Sequence, residues 1–512
     1  MASTIQRPSG VSGEAVGRPV PTVDDLVLPR TNTSPRLPSG LWRLDTLARH
    51  ADWLLLLVLG LTIYVSRIGT LTIRGEEPRR IRITCEMLER GNLFVQTEQG
   101  EIFAERPPLC NWFIALGILA TGSDSVVPAR LFSAAATIAT SLLLYFYARG
   151  FLGRVGAIAA GASFLTMGEV MHLGGMAENE AIMAFLLGAA LVVWEWGYRR
   201  GWPAGRTWTL AYALAALATL AKGLQAPTYF VGGVALFLLI RRDGRFLLSR
   251  AHAAGVCLFV LLVALWQLPY WCCVGSDVAL GTWTNLLVEK TQGRGADKFA
   301  RHVAEFPWEF FGSMLPWSMW LLAFASPRLR ASLNDARRGV AVFIACVSAV
   351  AFPSVWFASG GRARHLMPLL PLIAVLVGMA IDHAWQAAAN SPLRRAWSKS
   401  LQLAGAVAML AGVAVAEFVI FTGSTTPSAV RWRLVTYAAS ALLCGAIAWQ
   451  ARRSTDESQA RSGVLAWAFF VAVTFVLPYT DIVVCNASDS LGPMRAVVAQ
   501  IPAEADMVSL GS

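Results

Sequence analysis

Apolar stretches of about 20 residues, the length a bilayer core demands, recur along nearly the whole chain after residue 51, separated by short polar turns. Candidate spans fall at 52–71, 128–148, 155–173, 181–197, 207–221, 224–240, 251–271, 309–326, 339–358, 365–384, 401–422, 430–450 and 463–483. That is an all-α integral membrane chain, a polytopic bundle of about 13 transmembrane helices. One further apolar run, 109–120, holds about a dozen residues and is too short to cross, so it is expected at the interface or as a segment that dips in and returns. Residues 1–50, rich in Pro, Ser and Arg and without an apolar run, read as a disordered cytoplasmic tail. No cleavable-signal pattern precedes Trp53, so the first span is expected to serve as its own insertion signal.

Composition agrees. Of 512 residues, 55% are hydrophobic and 15% charged, with a mean hydropathy of +0.53, whereas soluble domains carry about 25% charged residues. The net charge of +11 would suit a nucleic-acid partner, but the arginines sit in short clusters between apolar runs, which excludes that reading in favour of basic cytoplasmic loops. With the N-terminus inside and 109–120 not crossing, the clusters at Arg149 and Arg154, Arg199 to Arg206, Arg241 to Arg250, Arg328 to Arg338, Arg394 to Lys399 and Arg452 to Arg461 all fall inside.

The same topology gathers another set outside. It includes the segment Arg74–Pro108, then Glu178, Asn179 and Glu180, then Lys222, residues 274–308, and finally Arg362, Arg364 and His365. A loop of about 35 residues is far longer than two helices need and implies a function. Lys222 is one of only four lysines against 39 arginines; beside apolar spans it either snorkels to the interface or pairs with an anion. The Glu178–Glu180 turn is either a solvated connection or part of a site.

These outer residues resemble a family. The acidic pair and arginine of RGEEPRR, then CEMLERGN, then ERPPLCNWFIAL, are similar to the first external loop of polyprenyl-phosphate-sugar-dependent glycosyltransferases of the GT-C class, the aminoarabinose transferase and protein O-mannosyltransferase-like group. The resemblance extends over about residues 52–385. Glu76 stands where the family has the Asp of an Asp-Glu pair and Glu77 matches the Glu; Glu105-Arg106-Pro107 stands for Glu-Lys-Pro, Glu180 for an acidic residue of the second external loop, and Lys222-Gly223 for a Lys-Gly. RARHLMPLLP resembles the family's approach to a Pro-rich span, with His365 in place of Tyr.

The resemblance implies a GT-C catalytic membrane core at 51–385; beyond it, the apolar spans and the topology predict C-terminal transmembrane helices at 386–485 and a short periplasmic tail at 486–512. It also implies a multi-pass protein of a bacterial inner membrane that moves a sugar, with inversion, from a polyprenyl-phosphate donor to an envelope glycolipid, glycan or protein at the periplasmic face. In such a transfer an acceptor oxygen attacks the anomeric carbon as the phosphate departs, so carboxylates assist the acceptor and the developing positive charge while cations hold the phosphate. Glu76 and Glu180 are assigned to the reacting centre, with Glu77 and Glu105 in support; Arg106, Lys222, Arg362 and His365 are assigned to the donor phosphate. No cofactor is assigned. A divalent metal held by the glutamates with His365 stays open, although no HxxxH or CxxC spacing occurs. Residues 274–308 have the character of a lid, and the cysteines Cys85, Cys272, Cys273 and Cys485 reveal no disulfide pairing. Two other readings remain at this stage: a transporter or lipid flippase, which calls for two similar halves and polar groups at mid-bilayer, and a catalytically inactive GT-C relative with a scaffolding role.

Overall fold

The structure, a computed structural model, describes residues 39–123, 125–291, 296–422 and 428–485. The chain divides into two compact units after Arg49, and the membrane fold is the second, His50–Ser512. The expected tails at 1–38 and 486–512 lie outside the described residues.

The first helix, α1 (Ser39–Tyr64), begins inside the segment expected as a tail and is followed by α2 (Glu77–Glu89), a two-stranded hairpin of β1 (Thr97–Glu98) and β2 (Glu101–Ile102), and α3 (Leu109–Thr121). The bundle continues with α4 (Val126–Ala148), α5 (Arg154–Leu165), α6 (Gly168–Leu173), α7 (Asn179–Arg199), α8 (Ala204–Lys222), α9 (Gln225–Ile240), α10 (Gly244–Leu247) and α11 (Arg250–Val274). Then come α12 (Ser276–Thr291), α13 (Ala296–Ser313), α14 (Pro327–Ser332), α15 (Asp335–Trp356), α16 (Leu370–Gln386), α17 (Pro392–Thr422), α18 (Ser428–Ala451) and α19 (Glu457–Thr474).

Among the described residues eight helical stretches are long and apolar enough to cross a membrane, on α4, α7, α10–α11, α15, α16, α17, α18 and α19. The other five expected spans fall on shorter, interrupted or less apolar helices. Residues 155–173 break at Thr166 and Met167 into α5 and the short α6, and 309–326 divide at Pro316 into the end of α13 and a 3₁₀ stretch, Trp317–Ala325. The run at 109–120 forms the 13-residue α3, about 20 Å long and short of a bilayer core. Residues 274–308, expected as a lid, are helical over most of their described positions, in α12 and the start of α13.

The buried centre is made by α4, α5, α7, α8 and α16, whereas α11 packs mainly on α8 and leaves most of its surface bare. Small residues set the closest crossing: a Cβ at Gly378 of α16 would lie 2.4 Å from the carbonyl oxygen of Gly156 on α5, so only glycine lets these backbones meet. One end of the bundle is held by buried acids. Asp52 pairs with Arg154 at 2.9 Å and with Arg461; Asp382 pairs with Arg337 at 2.7 Å and accepts from the amides of Gly153 and Gly156; Glu195 pairs with Arg199 at 2.9 Å. Arginines that the sequence marks only as basic loops therefore also anchor helices.

Candidate active site at the other end of the bundle

The site starts from α2. Its buried residues Glu77, Arg80, Ile83, Thr84 and Met87 follow the helical period and turn one face inward. Glu77 is fully buried: its carboxylate accepts from Arg130 Nε at 2.7 Å and Nη2 at 2.6 Å, and from the amide of Ala177 at 2.8 Å. Arg130 in turn donates to the carbonyls of Ile68, Leu71 and Thr72. Glu77 thus fastens α2 to α4 and to the loop before α7, with its lone pairs committed to the protein.

Glu76, one residue earlier, differs. Its side chain is 39% exposed, with Arg79 at 3.7 Å, and its amide donates to Glu178 Oε1 at 3.0 Å. Gly75 permits that contact, since its φ is +63° and a Cβ there would sit 2.4 Å from Glu178 Oε1. The other Glu178 oxygen lies 3.8 Å from Arg364.

Two residues further, Glu180 Oε1 accepts from Lys222 Nζ at 2.9 Å, with both side chains about 5% exposed. Lys222 ends α8, where Gly223 adopts φ +106° and turns the chain away. The lysine therefore neither snorkels nor stands alone; it pairs with an anion from α7.

Arg80 and Arg106 complete the cluster. Arg80 is buried, and the desolvation together with the neighbouring Arg106 brings its pKa down to about 10, against the pull of Glu76 and Glu180. The Arg106 turn is tied to α3 through Gln96, whose amide donates to the Arg106 carbonyl and accepts from Asn111. Burial, then Glu180, raises the pKa of Glu178, and Glu169 on α6 stands in the field of Glu309, Glu180 and Arg364.

Of the residues assigned from sequence, Glu76, Glu180, Arg106 and Lys222 share one electrostatic neighbourhood. Glu77 is held by Arg130, and Glu105 is joined to Glu76 only through Arg79. Glu105 pairs with Arg79 at 3.1 Å, and Arg79 also binds Glu98. Arg362 is exposed at the start of a 3₁₀ turn, Ala363–Leu369, and its amide donates to His365 Nδ1 at 3.3 Å. Arg364 takes the inward place instead. The sequence reading missed Arg80, Arg364, Glu169 and the anchor Arg130 as site residues. Among the described residues no three His, Cys, Asp or Glu side chains group as metal ligands. Chemically, the cluster offers three or four cations to an anion and carboxylates beside them, with Glu76 the most accessible.

A family model described as dolichyl-phosphate-mannose-protein mannosyltransferase matches residues 105–270. An uncharacterized protein of Aquifex aeolicus is 25% identical over 353 residues, 67% of this chain and 64% of its own. The undecaprenyl phosphate-alpha-4-amino-4-deoxy-L-arabinose arabinosyl transferase of Pseudomonas aeruginosa is 27% identical over 316 residues, 60% of this chain and 55% of its own. The chain thus spans about 55 to 64% of the length of these relatives. In fold, it matches ArnT from Cupriavidus metallidurans bound to undecaprenyl phosphate with a TM-score of 0.63 at 17% identity, over 92% of this chain and 82% of that one. The apo form of the same protein gives 0.65 at 15% identity, over 90% and 82%. The fold is the all-helical GT-C membrane fold, and the resemblance to GT-C polyprenyl-phosphate-sugar-dependent glycosyltransferases holds in sequence and in architecture.

Proposed function

We propose that this chain is a glycosyltransferase that moves a sugar from a polyprenyl-phosphate donor to an envelope lipid, glycan or protein, with inversion, at the periplasmic face of a bacterial inner membrane. The observation that carries the reading is the buried Glu180–Lys222 pair, joined from α7 and α8, with Arg80 and Arg106 beside it and the accessible Glu76 close by. A cluster of this kind holds a phosphate through charge-assisted contacts. ArnT of the same fold was crystallised with undecaprenyl phosphate, which supports a lipid phosphate as the anion.

The pairing refines the roles. Glu180 is committed to the Lys222 ammonium, so it orients the cation that meets the departing phosphate. Glu76 has the open carboxylate and takes the acceptor proton, or faces the positive charge developing on the sugar when the acceptor is already an anion. Lys222, Arg106 and Arg80 stabilise charge on the leaving phosphate; Arg364 and Glu178 hold the Glu76 backbone in place.

The test is mass spectrometry of envelope glycolipids and glycoproteins from a deletion strain complemented with wild type or with Glu76→Gln. Loss of one sugar modification, restored by wild type alone, is expected. An unchanged envelope, with no transfer by the purified chain from polyprenyl-phosphate sugars, would favour a transporter or an inactive relative.

A further inference from the structure

The arginines at the anchored end are not all neutralised. Arg154, Arg337, Arg461 and Arg199 meet Asp52, Asp382 or Glu195. Four others, Arg394, Arg395, Arg452 and Arg453, line a cavity of about 540 Å³ with Trp385, and among the described residues none of the four has a carboxylate within 4.0 Å. The nearby Asp456 caps α19, accepting from the amide of Gln459. Arg394 is fixed by the carbonyls of Trp385 and Ser454, and Arg452 by that of Trp449, while Arg395 and Arg453 are exposed. The cavity lies far from the proposed transfer site: the helical run that starts at Ala363, beside Arg364, covers 24 residues to Gln386, about 40 Å along its axis.

A second, apolar cavity of about 340 Å³ follows directly along α17, between Trp397, Leu401 and Ala404, and is closed by Trp467 of α19 and by Trp320. The Trp385 and Trp397 rings, 6.4 Å apart, form the wall between the two spaces. Met319 and Leu403, 54% and 66% exposed, leave the groove open toward the side of the bundle. A cationic chamber at one helix end with an apolar groove one to two turns deeper has the shape of a phospholipid, headgroup above and acyl chain below.

We propose that this composite pocket binds one anionic glycerophospholipid of the leaflet opposite the transfer site, its phosphate among the four arginines and an acyl chain along the tryptophan groove. Four cations without an acid favour a net-negative headgroup over a zwitterionic one, whose ammonium would lack a partner. The inference stands apart from the proposed glycosyl transfer.

Native mass spectrometry of the purified full chain, incubated with phosphatidylglycerol or phosphatidylcholine, tests it. Wild type should retain phosphatidylglycerol in preference and unfold at higher temperature with it. Arg395→Gln with Arg453→Gln should weaken retention about tenfold or more, the Lys pair should keep most of it, and Ser400→Trp should weaken it by filling the groove. If the Gln pair fails to fold, the Lys pair and the two lipid titrations of wild type still decide. Equal retention of phosphatidylcholine, undiminished retention by a folded Gln pair, or equal thermal stabilisation by inorganic phosphate or glycerol phosphate would overturn the proposal.

Discussion

Replacing Glu77 by Gln separates an anchor from a catalyst. The Arg130 guanidinium, 2% exposed, makes five donations: two to Glu77 and one each to the carbonyls of Ile68, Leu71 and Thr72. Glu77→Gln leaves this cation without its counter-charge and turns an amide donor toward groups that also donate. Breaking a buried pair from one side costs about 3–5 kcal/mol, and Arg130→Met, which strands the carboxylate, should cost a similar amount. Glu77→Gln combined with Arg130→Met removes both charges while the Gln carbonyl can still accept from the buried Ala177 amide, and the three carbonyls released belong to half-buried residues that water can reach. The double variant should therefore recover much of the loss, giving a coupling energy of about 3 kcal/mol in the cycle. Reversible unfolding of the purified chain in mixed SDS micelles measures all four members. A Glu77→Gln protein that unfolds like wild type yet transfers no sugar would refute the anchor reasoning and place the carboxylate on the substrate.

Lys222→Ala and Arg106→Ala each remove a charge-assisted contact of about 1.5–3 kcal/mol, so binding of a polyprenyl phosphate to the folded variants should weaken roughly tenfold to a hundredfold. Glu76→Gln should abolish or greatly slow transfer, while Glu76→Asp, which keeps the charge but withdraws it by one methylene, should retain part of the rate; full activity in both would remove Glu76 from the chemistry. In a chain cleared of native cysteines, one placed at the exposed Gln99 should react with an impermeant thiol reagent from outside intact cells and one at the exposed Ser332 should not.

What was readable in the sequence was whatever apolar length or helical period encodes. The short α3 followed from its dozen apolar residues, and the inward face of α2 is written in the spacing of Glu77, Arg80, Thr84 and Met87. By that same spacing Arg80 was within reach as a site residue. Arg130 and Glu169 also left a signal, because each is an ionisable group inside a stretch taken for a span, where a charge needs a partner or a purpose. The choice between Arg362 and Arg364 left none. It depends on a 3₁₀ turn, in which residues three apart share a face, so that Arg362 goes with His365 and Arg364 turns elsewhere. The pairing of Glu180 with Lys222 required knowing that the ends of α7 and α8 meet, which no local pattern states.

The contact between Gly75 and Glu178 bears on how such a sequence can drift. With φ at +63° and a carboxylate oxygen 2.4 Å from where a Cβ would stand, position 75 can accept a side chain only after two separate obstacles are cleared. Shortening residue 178 to Asp removes the clash but not the backbone demand, and an Asn at 75 eases the backbone demand but not the clash. Each single step costs the loop its place before the other can repay it, so the two positions form an evolutionary ratchet. Descendants of this chain are expected to hold the pair together, or to change both and rebuild the first external loop with them.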